Sequence, residues 1–124
     1  MKTQKLFLST LFLFGLILTS FAQKGNPAPG TKTESIKVWG NCGMCKKKIE
    51  QAAYSKSVTS ASWNEDTKVL LIKYGFGVTS GDEVQQAIAK AGYDTQDFKG
   101  EDKAYNNLDH CCQYERKKTA KEKE

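Results

Sequence analysis

Residues 36–54 read IKVWGNCGMCKKKIEQAAY and change from a strand pattern to a helix pattern within a few positions. Ile36 and Val38 alternate with Lys37 and Trp39, which is typical of a strand. The apolar side chains then recur at helical spacing, which predicts a helix over 43–54. A pair of cysteines, Cys42 and Cys45, therefore stands where a strand runs into a helix.

The pattern outside this stretch predicts one small α+β domain. Further strand patterns are found at three places: 58–63, 68–74 and a short stretch at 93–98. A second helix follows the third strand, with Ser80 or Asp82 as its N-cap and Gly92 as its end. The predicted order is β-α-β-β-α-β. This order predicts a ferredoxin-like sandwich, in which a four-stranded antiparallel sheet carries two helices on one face.

The N-terminal part of the chain differs from this domain. Two lysines precede an apolar run over 6–18 and a small-x-small site, so residues 1–22 are predicted to be a secretory signal peptide. An uncleaved membrane anchor is the alternative, although the run is shorter than the about 20 residues that span a bilayer. Residues 23–32 hold both prolines and predict a flexible linker before a domain over 33–100. We expect a periplasmic or secreted protein with no stable membrane insertion after cleavage.

Composition excludes several classes of function. The chain has 124 residues, which allows one small domain with tails. His110 is its only histidine and lies in a polar segment, which argues against Ser-His-Asp or Cys-His hydrolases, and we expect no enzyme activity. The net charge is +5, but basic and acidic residues are interleaved without a broad basic patch. Nucleic acid is therefore not an expected partner.

The C-x-x-C pair is the candidate functional site. Such a pair alone is compatible with half a zinc site, a redox dithiol, a structural disulfide or a two-coordinate soft-metal site. At the start of a helix, however, the unpaired N–H groups stabilise thiolates. The lysines at 46–48 add positive charge, which can also steer an acidic partner. We therefore expect both sulfurs to be reactive.

A G-x-C-x-x-C motif after the first strand of a domain with this element order resembles the heavy-metal-associated domain family. This family includes small copper chaperones and a periplasmic mercury-binding protein. The resemblance covers about residues 33–99 and implies that Cys42 and Cys45 bind Cu(I), which a metal-exporting or metal-accepting protein then receives. Tyr93 corresponds to a tyrosine near the metal in bacterial members, and Met44 lies between the two ligands.

Two departures from the family bear on the metal and on the loop. Gly40 stands where the family has methionine, which implies a different packing beneath the loop. Asn41 replaces the acidic residue of zinc and cadmium members, which favours a monovalent ion. Two thiolates in near-linear geometry suit Cu(I), whereas zinc prefers four ligands. Hg(II) fits the same geometry, and Zn(II) and Cd(II) are further alternatives for the bound metal. The sequence is compatible with a monomer and with a metal-bridged dimer.

Residues 101–124 form a polar C-terminal extension that contains His110, Cys111 and Cys112. These three residues are candidate additional metal ligands. The alternative is that the two cysteines form a disulfide, with each other, with a second chain or with the domain. The last twelve residues are predicted to be solvated. We expect the extension to cover an apolar patch on the outer face of the sheet: Trp39, Val69 and Leu71.

Two other functions compete with metal binding. The segment W-G-N-C-G-M-C is superficially similar to a thioredoxin-like site, but such folds need a proline after the cysteines, and Pro27 and Pro29 both precede them. The other competitor is an interaction module in which the cysteines form a structural disulfide. The sequence therefore predicts a metallochaperone-like Cu(I)-binding protein, with a thiol–disulfide redox protein or an Hg(II) scavenger as the alternative.

Overall fold

The computed structural model describes residues 30–118, so the predicted signal peptide and most of the predicted linker lie outside the described residues. The first five elements follow the predicted order: β1 (Thr31–Lys37), α1 (Gly43–Tyr54), β2 (Ser60–Trp63), β3 (Val69–Gly75) and α2 (Gly81–Lys90). Two short helical segments come after them, α3 (Asp102–Asn106) and a 3₁₀ turn (His110–Cys112). The first strand thus begins two residues inside the segment predicted to be a linker. None of the helices within 30–118 is long and apolar enough to cross a membrane.

The sheet is antiparallel, with β3 between β1 and β2. Ile36 of β1 and Trp63 of β2 both pair with Leu70 of β3, so three large side chains meet on the inner face. All three are buried. The α1 helix packs against β2 and α2, which places the helices on this face and confirms the predicted α+β sandwich.

The prediction of a regular fourth strand over 93–98 is wrong. This segment pairs with the chain just after β1 through a single bridge between Val38 and Thr95. The Thr95 backbone N–H then bonds to the carbonyl of Phe98 at 2.8 Å, which turns the chain away from the sheet. The sheet within the described residues therefore has three strands and one isolated bridge.

The ends of α2 follow the predicted signals. The Ser80 hydroxyl, rather than Asp82, accepts a hydrogen bond from the Glu83 N–H at 3.2 Å and caps the helix. Gly92 ends the helix with a φ of +100°, a conformation that favours glycine. A Cβ at this position would also lie 2.8 Å from the carbonyl carbon of Ala104, so the extension packs directly on this turn.

The C-terminal extension does not cover the outer face of the sheet, contrary to the prediction. Leu71 on that face stays 44% exposed. Leu108 and Tyr114 of the extension instead join the main hydrophobic core beside the end of α2. At Trp39, the extension places the Lys117 ammonium group 5.7 Å from the centre of the indole ring. Its docking place is the end of the sandwich that carries the cysteine loop.

Candidate metal centre

Cys42 occupies the N-cap position of α1, and its backbone is extended. Its side chain makes no capping hydrogen bond, and its thiol instead donates to the carbonyl of Cys111 at 3.5 Å. The backbone N–H of Cys45 lowers the pKa of the Cys42 thiol below its ordinary value, and burial opposes this shift. Cys42 is half-buried, whereas Cys45 is fully buried. The outer sulfur of the pair is therefore both reachable and predisposed to ionise.

A third sulfur completes the site. Cys112, from the 3₁₀ turn, is fully buried, and its Sγ lies with those of Cys42 and Cys45 within 4.8 Å of one another. We call these residues the three-cysteine group. The 3₁₀ turn that carries Cys112 to this group is closed by a hydrogen bond from the Cys112 N–H to the carbonyl of Asp109 at 2.7 Å. Asn41 also donates its side-chain N–H to the carbonyl of Cys111 at 3.2 Å.

The separation of Cys42 Sγ and Cys45 Sγ is 3.9 Å. With metal–thiolate bonds of about 2.3 Å, two sulfurs lie about 4.0 Å apart in a trigonal site and about 4.6 Å apart in a linear one. The observed separation therefore fits three ligands better than the near-linear pair expected from the sequence. None of the four cysteines forms a disulfide in the structure.

The protonation of Cys112 differs from that of Cys42. Burial and, to a smaller extent, the neighbouring Cys45 together raise the pKa of the Cys112 thiol to about 12. The Cys112 thiol is therefore protonated at neutral pH in the metal-free protein. A metal ion that binds to this sulfur must displace the proton, which leaves to solvent.

Tyr93 lies beneath the three-cysteine group. Its hydroxyl is buried and has no hydrogen-bond partner among the described residues. Burial raises the pKa of this hydroxyl, and the sulfurs of Cys45 and Cys112 add to the shift. The ring stacks on Tyr114 at 5.5 Å between centres. A buried donor without an acceptor is costly, so its place beside two thiols points to an acceptor that forms when they ionise.

An ion pair holds the extension against the site. The Asp94 carboxylate is 1% exposed and accepts two hydrogen bonds from Arg116, at 2.7 and 3.2 Å. Burial opposes ionisation of Asp94, but the bonds from Arg116 and from the backbone N–H groups of Gly100 and Lys117 outweigh it, and the pKa of this carboxyl is lowered. The hydroxyl of Tyr114 lies alongside and bonds to Gly92 and Asp94. The prediction of a solvated end is therefore wrong for this part of the extension.

The other predicted site residues lie outside the three-cysteine group. His110 is exposed and is not among the clustered ligands. Cys111 is also exposed, and its thiol donates to the sulfur of Met44 at 3.4 Å. Lys46 and Lys48 form ion pairs, with Glu50 at 2.6 Å and with Asp109 at 3.0 Å, so much of the expected local positive charge is neutralised.

The space beneath the loop is filled by a residue that the sequence analysis missed. A Cβ on Gly40 would lie 2.9 Å from the indole ring of Trp63 and 3.0 Å from Ile49. Trp63 is almost fully buried and donates its indole N–H to the carbonyl of Val38 at 3.1 Å. The different packing expected beneath the loop at Gly40 is thus supplied by the indole ring of Trp63, which comes from β2.

Asp94 and Arg116 were missed as well. The sequence holds one weak signal for this ion pair: Arg116 is the only arginine in a chain whose other positively charged side chains are lysines and one histidine. An arginine forms paired hydrogen bonds with a carboxylate, which lysine cannot do. A single arginine in a polar tail is thus a candidate anchor.

Several solved structures are similar to this chain. A CopZ metallochaperone is 30% identical, with a TM-score of 0.50, and the match covers 52% of this chain and 98% of that one. A candidate copper-ion-binding protein from Bacillus anthracis str. Ames is 20% identical, with a TM-score of 0.50, and the match covers 53% and 96%. The second likeness shows the fold alone. No protein-family model matches the chain, and no curated protein does.

The fold and the site define a small α+β domain that presents a cysteine pair between its first strand and first helix. Since the CopZ metallochaperone is 30% identical and is matched over nearly its whole length, the chain belongs to the heavy-metal-associated domain family, as the motif predicted. About half of this chain has no counterpart in either structure.

Proposed function

We propose that this protein binds one soft metal ion through the three-cysteine group and passes the ion to another protein. The observation that carries the proposal is the approach of three sulfurs to within 4.8 Å of one another, two of them buried. The likeness to a CopZ metallochaperone supports the same function. The protein acts by binding and transfer and not by catalysis.

The chemistry of the ligands favours Cu(I). Thiolates are soft ligands that select Cu(I) over hard cations, and a trigonal site suits its filled d shell. Zinc prefers four ligands in structural sites, and the three-cysteine group supplies three. Hg(II) also accepts thiolates in this geometry, and Cd(II) is a further competitor, so the protein binds several soft ions in vitro and Cu(I) is the proposed physiological one.

Tyr93 stabilises the loaded state. In the metal-free protein its buried hydroxyl has no acceptor among the described residues. When a metal ion binds as thiolate ligands the sulfurs of Cys45 and Cys112, any proton that it displaces leaves to solvent, and each sulfur becomes a better hydrogen-bond acceptor. A hydrogen bond from the Tyr93 hydroxyl then offsets part of the cost of placing negative charge in a buried site.

Transfer begins at Cys42. This sulfur is half-buried, so a thiolate of the receiving protein can approach the metal from its side. The incoming thiolate binds first, and the sulfurs of this protein leave one at a time, so the ion is never free in solution. A metal-exporting or metal-accepting protein is the proposed partner, and no stable complex with nucleic acid is needed.

We place this activity in the periplasm or outside the cell. The support is the predicted signal peptide over 1–22, with its short basic start, apolar run and small-x-small site. A protein purified from its native compartment should begin after residue 22, which N-terminal sequencing measures. An intact N-terminus in a membrane fraction favours the uncleaved anchor instead.

Anaerobic competition between the protein and a colorimetric Cu(I) chelator tests the proposed site. Cys42→Ser and Cys45→Ser should abolish tight binding, and Cys112→Ser should weaken it by about ten-fold or more, since two ligands remain. At one equivalent of Cu(I) per chain, Cys111→Ser is the matched control, because it removes the adjacent sulfur that lies outside the group. Unchanged affinity in Cys42→Ser and Cys45→Ser overturns the function, and unchanged affinity in Cys112→Ser removes the third ligand.

A thiol–disulfide redox protein is the second candidate, because the pKa of the half-buried Cys42 thiol is lowered. Reduction of insulin by the protein, supplied with a dithiol reductant, measures this activity. Turnover together with weak Cu(I) binding favours the redox function. Tight Cu(I) binding without turnover favours the metallochaperone.

A further inference from the structure

Two exposed sulfur atoms lie beside the three-cysteine group and take no part in it. Cys111 and Cys112 are consecutive, but one is exposed and the other is buried. Met44 stands between Cys42 and Cys45 in the sequence, but its side chain is 48% exposed. Each of the two segments that form the inner site therefore also supplies one outward sulfur.

The two outward sulfurs are held together. The thiol of Cys111 donates to the thioether of Met44 at 3.4 Å, although the residues are 67 positions apart in the chain. The 3₁₀ turn that carries Cys111 is fixed by the hydrogen bond from Asn41 and by the ion pair between Lys48 and Asp109. The contact is thus a product of the docked extension rather than of local sequence.

The position between the Cys111 and Met44 sulfurs suits a soft cation. A hydrogen bond between a thiol and a thioether is weak, whereas sulfur is a strong ligand for Cu(I). The Sγ atoms of Cys111 and Cys112 are 3.9 Å apart, close to the about 4.0 Å expected for two sulfurs of one trigonal ion. Cys112 thus lies within reach of both an inner and an outer metal position.

We propose that Met44 and Cys111 form a second soft-metal position that shares the Cys112 sulfur with the first, so that the loaded protein holds two Cu(I) ions. This inference rests on the proposed function, because the shared sulfur belongs to the inner site. The second Cu(I) binds to the Cys111 sulfur, whose proton is released to solvent, while the Met44 thioether donates a lone pair without losing a proton. Adding one Cu(I) and one thiolate leaves the formal charge of the cluster unchanged.

The inner position fills first. It has three thiolates and buried surroundings, whereas the outer position has one thiolate of its own, one shared thiolate and a neutral thioether. The outer ion is held more weakly and lies at the surface, where a donor protein reaches it. The outer position therefore receives a metal ion that the inner position then retains.

Selenium labelling tests the outer position directly. Met1 is the only other methionine, so selenomethionine protein places selenium at Met44 and at one further, N-terminal position. We expect X-ray absorption at the selenium edge to show no copper neighbour with one equivalent of Cu(I) and a copper neighbour with two. Met44→Leu is the control and should lose that signal. Absence of a copper neighbour at two equivalents overturns the proposal.

Stoichiometry gives the second measurement and separates the two proposals. Under anaerobic conditions, with reduced thiols confirmed by thiol titration, we expect two Cu(I) per wild-type chain and one per chain in Cys111→Ser. Val78→Ala, an exposed apolar residue without sulfur, is a control that should keep two. One Cu(I) in the wild type, or two in Cys111→Ser, overturns the second position. Retention of the first tight ion by Cys42→Ser instead overturns the proposed function.

Discussion

The ion pair between Asp94 and Arg116 should decide whether the C-terminal extension stays docked. Replacing Arg116 by methionine keeps most of the apolar part of the side chain but leaves the buried carboxylate of Asp94 without its cation. Breaking a buried ion pair in this way costs about 3–5 kcal/mol. The backbone N–H groups of Gly100 and Lys117 still bond to Asp94, at 2.7 and 3.0 Å. We therefore expect the lower end of this range, a loss of about 3 kcal/mol.

Urea unfolding of the reduced, metal-free protein at neutral pH measures this loss. The matched control is Lys48→Met, which removes an ion pair with Asp109 whose side chains are 36% and 59% exposed. A pair in water contributes about 0.5 kcal/mol, so the two variants should differ clearly. A loss below about 1 kcal/mol in Arg116→Met, or a loss equal to that of the control, refutes the view that this pair anchors the extension.

The lowered pKa of Asp94 gives this prediction a pH dependence. The folded-state pKa lies below the ordinary value of 3.8, because the bonds to Arg116 and the backbone outweigh the effect of burial. The stabilisation is therefore fully present above about pH 4 and is lost as the pH falls through the folded-state pKa. The stability difference between wild type and Arg116→Met should stay constant from about pH 8 to about pH 5 and narrow below it. A stability difference between the two proteins that becomes larger as the pH falls contradicts the predicted direction.

Three further substitutions test the surroundings of the site. Tyr93→Phe should leave thermal stability of the metal-free protein unchanged or raised, since it removes a buried hydroxyl without a partner, and should lower Cu(I) affinity by about ten-fold in competition titrations. Gly92→Ala should lower the free energy of unfolding in urea by about 2 kcal/mol, because Gly92 has a positive φ and a Cβ there would contact Ala104. A free energy of unfolding equal to that of the wild type contradicts this reasoning. Gly40→Met should cost about 2 kcal/mol by the same assay, and Trp63→Leu in the same chain should recover part of the loss. If Trp63→Leu restores none of the stability lost in Gly40→Met, Trp63 does not fill the space beneath the loop.

Local sequence signals were sufficient for the main helices. The predicted first helix, 43–54, has the bounds that the structure shows, because its apolar face and the C-x-x-C loop both mark its start. The end of the second helix at Gly92 was also predicted, since a positive φ at that point requires glycine. These features depend on neighbours within a few residues, which a single sequence displays directly.

The errors concern contacts between distant segments. The stretch 93–98 has strand-like residues, but the Gln85 side chain bonds to Thr95, and a turn to Phe98 replaces the ladder. The end of the extension was predicted to be solvated because its composition is charged, yet Arg116 pairs with the buried Asp94 and is only 22% exposed. Whether a charge is buried depends on its partner, and composition does not contain that information.

The third sulfur of the site is supplied from outside the sandwich. Cys112 lies on a short 3₁₀ turn that follows all the strands and main helices, whereas Cys42 and Cys45 belong to the strand-to-helix loop. Undocking that turn would take Cys112 out of the hydrophobic core and would leave an ion in the proposed site with two sulfur ligands instead of three. Under the proposed function, docking of this turn therefore couples the packing of the C-terminal extension to the number of sulfurs that hold the ion.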